Sequence, residues 1–473
     1  MGASAAKQQE KAASYAVETS KQPTKSNGSV FDMTAFSSTA KLAEGDPEKP
    51  GLPAYDPFQE RDVSHPNSDV GALAHLLKSS LGSGILAMPL AFRNAGLAFG
   101  MVATLVVGYI CTYSVHMLVN CSQVLSQRVR QPSLTFAGTA GRAFETGPPA
   151  LRRYSRAAHN AVDVLLLATY YSMVCVYIVF IATSLRQVLV FYFPEDANFD
   201  VRLYIVATAP LLLPLCMIRQ LKFLAPFSAV ANLLICVSFA ITLYYIFTDL
   251  PPLSSRDSFS SIGQLPLFFS TVIFAVEGIG VVLPVENSMR NPTHFLGCPG
   301  VLNIAMGIVI GLYAVIGFFG YLKYGDDTEG SITLNLPSAE PLAQAVKVLI
   351  AVATIFSYGL QFYVPTEIVM RRMKPRLPHA WANPAEFGYR FLTVMLTVAV
   401  AAAVPDLGPI ITLVGAVFAS TLGLLCPAVI DSATFWETAR WWRHARNAFV
   451  CVFSLFALVT GVYASLLDII ATY

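Results

Sequence analysis

Long apolar runs separated by short polar connections dominate this chain from residue 71 onward. A helix needs about 20 apolar residues to cross a bilayer, and the chain contains eleven runs that approach or exceed this length. They are 71–94, 97–121, 159–184, 203–218, 225–248, 264–286, 300–322, 341–369, 388–404, 408–430 and 447–470. The pattern predicts an all-α integral membrane protein of about eleven spans, of which the fourth and ninth are short.

The first 68 residues have a different composition, rich in Ser, Ala, Lys, Glu and Pro. They contain no apolar stretch typical of a signal peptide, and they cannot bury enough apolar surface to offset the entropy of ordering. We therefore expect a disordered cytosolic tail over 1–68 and a membrane domain over 69–473. Near the end of the tail, the residues Tyr55 to Phe58 match the Tyr-x-x-apolar pattern of sorting signals, and the alternative interpretation is a structural role.

Charge is scarce and unevenly distributed. Hydrophobic residues make up 55% of the chain and charged residues 13%, against roughly 25% in an average soluble domain. Basic residues such as Arg128, Arg219, Arg371 and Arg440 concentrate in alternate loops, which predicts a cytosolic N-terminus and an external or luminal C-terminus. No basic stripe indicates a nucleic-acid partner. The eight cysteines lack the spacing of metal ligands, so no metal is expected.

The first and sixth runs share a motif that is unusual inside a membrane helix. Gly82–Gly84 is followed by Pro89, and Gly278–Gly280 is followed by Pro284. Glycine destabilises a helix interior and proline removes a backbone donor, so both runs are predicted to break near the membrane midplane. Two breaks in matching halves of a chain are typical of secondary transporters built from inverted repeats. The alternative is that these glycines only allow close helix packing.

Broken helices predict a binding site for a zwitterion. Free N–H groups around Ser83, Gly84 and Ile85 would bind a carboxylate, because the start of a helix is partially positive. Carbonyl groups near Ser80–Leu81 and Phe274–Glu277 would bind an ammonium group. The predicted substrate-binding residues are Ser80, Gly82, Ser83, Gly84, Ile85, Phe274, Glu277, Gly278 and Gly280.

Three ionisable residues lie within these two runs, where charge is costly and often functional. His75 could bind and release a proton between about pH 5 and 8, or it could be a neutral, hydrogen-bonded residue. Lys78 is a candidate charge partner of Glu277. Glu277 could instead be protonated or contact the substrate ammonium, and the sequence leaves these alternatives open.

Two stretches, Gly71–Ala95 and Phe274–Pro292, carry a close resemblance to the proton-assisted amino acid transporters, with insect-like members nearest. This family belongs to the amino acid/auxin permease group of the amino acid–polyamine–organocation superfamily. The resemblance implies five-plus-five inverted repeats with one extra helix, and symport of a proton with glycine, alanine or proline. It assigns proton coupling to His75. Family members reside at the plasma membrane and at lysosomes.

The sequence therefore predicts a secondary transporter that moves small neutral amino acids and protons across a lipid bilayer into the cytosol. No enzymatic activity is expected, and no cofactor other than the co-transported proton. The alternative function is a transceptor, which binds amino acids and signals to cytosolic partners with little net flux. A channel is disfavoured, because breaks at the midplane suit alternating access better than a selectivity filter does.

Overall fold

The computed structural model describes residues 55–61, 66–80, 82–276 and 278–472. These residues form helices and connecting loops, and their only β contact is an isolated bridge between Asn67 and Met289. The α-helices are α1 (Asp69–Ser80), α2 (Ser83–Ala95), α3 (Leu97–Arg128), α4 (Phe136–Thr146), α5 (Pro149–Arg152), α6 (Ser155–Tyr192), α7 (Val201–Cys216), α8 (Leu221–Phe247), α9 (Leu265–Val276), α10 (Ile279–Asn287), α11 (Val301–Tyr324), α12 (Pro341–Met373), α13 (His379–Ala403), α14 (Leu407–Val414), α15 (Cys426–Thr434) and α16 (Trp441–Thr472). The predicted all-α class is confirmed.

Every predicted apolar run corresponds to a helix or a pair of helices, although not every one is long enough to count as a full span. Across the described ranges, nine helices are long and apolar enough to cross a membrane, or ten if the bent pair α1–α2 forms one span. The fourth predicted run corresponds to α7, whose 16 residues rise about 24 Å, less than a hydrocarbon core of about 30 Å. The count of eleven therefore stays a prediction.

Both predicted breaks are present. α1 ends at Ser80 and α2 begins at Ser83, with a bend of 53° between the two helices. In the sixth run, α9 ends at Val276 and α10 begins at Ile279. The prolines Pro89 and Pro284 lie inside the second helix of each pair and do not end it, so the glycines mark the interruptions.

A further irregularity lies in the tenth run, where the sequence predicts a regular helix. Between α14 and α15 the chain forms two π-helical segments, Gly415–Ala419 and Thr421–Leu425. The first of them packs against α9. π-Helical turns are rare and frequently occur at functional sites, and this one lies beside the second broken span.

Apolar side chains cover much of the outer surface of the helices. Leu392 on α13 is 68% exposed, and Val452 and Val459 on α16 are each 65% exposed. Exposed apolar surface of this extent is unfavourable in water and is expected where a helix faces lipid. The exposed apolar side chains therefore support the membrane location that the low content of charged residues predicts.

A buried carboxylate fastens several helix ends at the predicted cytosolic side. The Glu386 carboxylate lies 2.9 Å from both Arg219 and Lys374, and 3.0 Å from the equally buried Arg390. A buried charge is tolerated only when it is paired. The three cations come from the α7–α8 connection, the end of α12 and α13, so the cluster joins parts of the chain far apart in sequence.

Candidate functional site

The two broken spans contact each other at their interruptions. α2 packs along α9, and Gly84 lies against the backbone of Ala275. A Cβ atom added at Gly84 would lie 2.8 Å from both the Cα and the carbonyl oxygen of Ala275, closer than side chains tolerate. Gly84 is thus a close-packing residue, and its missing side chain lets the two breaks meet.

Both helices that end at the breaks present their carbonyl groups to one side chain, Tyr313 of α11. The Tyr313 hydroxyl donates to the carbonyl oxygen of Ser80 at the end of α1, and it lies 2.9 Å from that of Ala275 near the end of α9. The final carbonyls of a helix lack helical donors and carry partial negative charge. Tyr313 is fully buried, so it joins the two breaks inside the protein.

A small cavity of about 30 Å³ lies between the breaks. The hydroxyl-bearing residues of its wall are Ser79 and Ser80, and most of the remaining wall is apolar or glycine, including Val276 and Gly278. The π-helical segment Thr421–Leu425 closes another side. This volume suffices for about two water molecules, so the cavity must widen before it can hold an amino acid.

The structure brings some of the predicted binding residues together. Ser80 and Gly278 both line the cavity, and a Cβ added at Gly278 would lie 3.6 Å from the Ser80 hydroxyl oxygen. Ile85 and Phe274 are buried, but neither lines the cavity. A Cβ added at Gly82 would meet no described atom within 4 Å.

Other predicted residues are placed differently or lie outside the description. Gly280 contacts the neighbouring span α6, because a Cβ there would lie 2.9 Å from the Tyr170 hydroxyl oxygen. Glu277 and the side chain of Ser83 lie outside the described residues. The binding role of all nine residues therefore stays a prediction.

His75 and Lys78 lie on α1, on the approach to the first break. The ammonium nitrogen of Lys78 lies 3.0 Å from the hydroxyl oxygen of Ser228 on α8. Because Glu277 lies outside the described residues, the predicted pair between Lys78 and Glu277 is untested. His75 is half-buried, one turn before the cavity residue Ser79, and its coupling role stays a prediction.

The sequence did not predict an ion pair that holds α10, the helix after the second break. The buried Glu286 carboxylate near the end of α10 lies 3.2 Å from the Arg61 guanidinium and accepts a hydrogen bond of 2.9 Å from Gln123 of α3. Arg61 also donates to the backbone carbonyls of Glu286 and Pro132. An acid amid apolar residues was visible at 286, but its partner lies 225 positions away.

The segment that carries Arg61, residues 55–61, is folded against the membrane domain. Pro57 is buried, the Phe58 amide donates to the Asp56 carboxylate at 3.0 Å, and the Phe58 ring lies 5.0 Å from the Arg61 guanidinium carbon. Sorting adaptors need an accessible peptide, so these contacts favour the structural interpretation of Tyr55 to Phe58. Residues 66–68 of the predicted tail are also described, whereas residues 1–54 and 62–65 lie outside the described residues.

A larger, polar cavity of about 320 Å³ lies at the predicted external end. Asp200, Glu329 and Asp406 line it together with Arg186. Although Glu329 is partly exposed, desolvation inside the cavity and then the nearby charge of Asp406 raise its pKa, while Arg93 partly offsets this rise. The cavity therefore combines carboxylates with a group that holds its proton more readily than an ordinary glutamate.

Comparisons with known proteins cover nearly the whole described region. The family described as "Transmembrane amino acid transporter protein" matches residues 65–467. The "Proton-coupled amino acid transporter-like protein pathetic" of Drosophila melanogaster is 41% identical over 424 residues, 89% of each chain. The "Probable amino acid transporter skat-1" of Caenorhabditis elegans is 25% identical over 430 residues, 88% of this chain and 93% of the relative. A solved structure of MhsT with L-phenylalanine aligns with a TM-score of 0.44 and 12% identity, covering 84% of this chain and 98% of MhsT.

Proposed function

The chain belongs to the transmembrane amino acid transporter family, and from this premise we propose that it is a proton-coupled symporter of small neutral amino acids. Membership makes it a multi-pass membrane transporter of amino acids and not an enzyme. The proposal adds the proton, the substrate class of glycine, alanine and proline, and transport into the cytosol. We place it at the plasma membrane, the lysosomal membrane or both.

One observation carries the proposal: two broken spans meet with their helix ends around a single small cavity. The ends of α1 and α9 supply carbonyl groups, which suit an ammonium group. The starts of α2 and α10 supply N–H groups, which suit a carboxylate. An amino acid carries both groups within a few ångströms, so it complements the two breaks without a charged side chain.

The walls of the cavity support a small, neutral side chain as the preferred substrate. Leu76, Val115, Val276 and Val282 line it, and no charged side chain of the described residues does. Burying a charge there would be costly without a partner. A large substrate side chain should also bind more weakly in this cavity. A single methylene changes the binding free energy by only about 1–3 kcal/mol.

The proton is assigned to His75 on the same helix that ends at the substrate site. A histidine changes charge between about pH 5 and 8, and α1 connects its position directly to the carbonyl of Ser80. A change in the charge of His75 would therefore affect the position of α1 at the first break. Lys78 lies between His75 and the break on the same helix, and its ammonium nitrogen lies 3.0 Å from the hydroxyl oxygen of Ser228 on α8.

Uptake into proteoliposomes tests the proposed function directly. Purified protein is reconstituted without sodium, and accumulation of radiolabelled alanine, glycine and proline is measured with and without an inward proton gradient. We expect accumulation of these amino acids that depends on the gradient. Arginine and glutamate serve as negative controls and should not accumulate. Absence of accumulation for all three, in folded protein, would contradict symport and favour the transceptor.

A further inference from the structure

Tyr313 occupies the position that the proposed function gives to the substrate ammonium. Its hydroxyl contacts the carbonyl oxygen of Ser80, the last residue of α1, and that of Ala275, one residue before the end of α9. It lies in the middle of α11, which packs against both α1 and α2. A single phenol thus holds the two groups best suited to bind an amine.

The Tyr313 hydroxyl has fewer hydrogen-bond donors than an ammonium group, so an ammonium group could replace it at the two carbonyls. A tyrosine hydroxyl has one proton to donate, so it cannot fully serve both carbonyls at once. Ser80 also accepts a bond of 2.9 Å from the Gly82 amide. An ammonium group has three N–H donors and would satisfy both carbonyls better than the phenol does. A buried carbonyl without any donor, by contrast, is costly.

We propose that Tyr313 is a positioning residue that closes the unloaded transporter, its hydroxyl standing in for the substrate ammonium at Ser80 and Ala275. When an amino acid binds, the ammonium displaces the phenol from these carbonyls. When the amino acid leaves, the phenol returns and the empty site can close. The inference rests on the proposed function, because net symport requires the unloaded transporter to reorient, whereas exchange of internal for external amino acid does not.

The substitution Tyr313→Phe separates these two modes. It keeps the ring in its packed position and removes only the hydroxyl. We expect proton-driven net uptake of alanine to fall about tenfold, the effect of one lost hydrogen bond on a barrier, while alanine exchange stays near the wild-type rate. A general loss of packing would lower both modes together.

Tyr358→Phe is the matched control. Tyr358 is also fully buried, and its hydroxyl lies 3.0 Å from the Thr397 hydroxyl, between α12 and α13 and away from the breaks. This variant also loses one buried hydroxyl contact, but it should keep the wild-type ratio of net uptake to exchange. An unchanged ratio in Tyr313→Phe would overturn the inference.

A second measurement does not depend on transport. Cys111 lines the small cavity and is only 8% exposed. In amino-acid-free protein, alkylation of Cys111, resolved by peptide mass spectrometry, should rise in Tyr313→Phe and stay at the wild-type level in Tyr358→Phe. Unchanged labelling would overturn closure by Tyr313. Wild-type protein that neither accumulates nor exchanges amino acids would instead refute the proposed function, and the labelling result would still decide the role of Tyr313.

Discussion

Gly82 and Gly84 lie two residues apart, yet Gly84 is tightly packed and the space beside Gly82 is open in the described part of the chain. A Cβ at Gly84 would collide with the backbone of Ala275, whereas one at Gly82 would meet no described atom within 4 Å. Backbone cannot move aside as the end of a flexible side chain can. The same type of residue is therefore required by packing at Gly84 but not at Gly82.

This difference predicts unequal effects of the same small substitution. Gly84→Ala should destabilise the protein by about 1–3 kcal/mol, the usual range for overpacking, and should abolish uptake by separating α2 from α9. Gly82→Ala should change stability by no more than about 0.5 kcal/mol. Thermal unfolding in detergent measures both variants, and equal losses would contradict the contact between the breaks.

Glu329 shows how a residue outside the spans can make stability depend on pH. Its pKa is raised above the ordinary 4.5, first by desolvation in the cavity and then by Asp406. The folded protein therefore binds this proton more tightly than the unfolded chain does. Stability gained through Glu329 is absent at high pH and appears as pH falls through the raised pKa towards 4.5.

Replacing Glu329 with Gln removes this titration while preserving the shape of the side chain. Wild-type protein should gain more in apparent melting temperature on acidification from neutral pH than Glu329→Gln does. Differential scanning fluorimetry at a series of pH values gives both curves. Asp327→Asn, in the same loop but outside the cavity wall, is the control, and parallel curves for wild type and Glu329→Gln would contradict the raised pKa.

Among the elements, the helices and their two interruptions followed from the sequence because hydropathy and glycine act locally. The π-helical segments between α14 and α15 did not, since the first packs against α9 from a distant part of the chain and no proline lies within either segment. Tyr313 was missed for a related reason. One tyrosine in an apolar run carries no signal of its own, and its importance arises only where three spans meet.

The attachment of α10 to the rest of the protein depends on the pair Arg61–Glu286. Removing the cation in Arg61→Met would leave the carboxylate buried and uncompensated, at a cost of about 3–5 kcal/mol. The double variant Arg61→Met/Glu286→Gln should recover a substantial part of this loss. Apparent melting temperatures of the two variants and of Glu286→Gln form a double-mutant cycle, and purely additive effects would contradict the pair.

At the scale of the whole molecule, the contacts near the breaks fall into two sets. Tyr313, Gly84 and Glu286 join α1, α2, α3, α9, α10 and α11 to one another. α12 packs against α6 and α8, and α13 against α7, which forms a second set. The close approach of Gly280 to Tyr170 and the Lys78–Ser228 hydrogen bond connect the two. Such a division suits a mechanism in which one set of helices rocks against the other.

Coupling between these sets should depend on the protonation of His75, which lies on α1 near the link through Lys78. In His75→Ala, net alanine uptake should no longer increase as external pH falls from about 8 to 5, the range in which histidine changes charge. Amino acid exchange should persist, because the breaks and Tyr313 are intact. His116→Ala is the control, since His116 lies on α3 and bonds to Asn303 at 2.6 Å. A wild-type pH profile in His75→Ala would remove His75 from the coupling, and Lys78, the charged residue of α1 nearest the break, would be tested next.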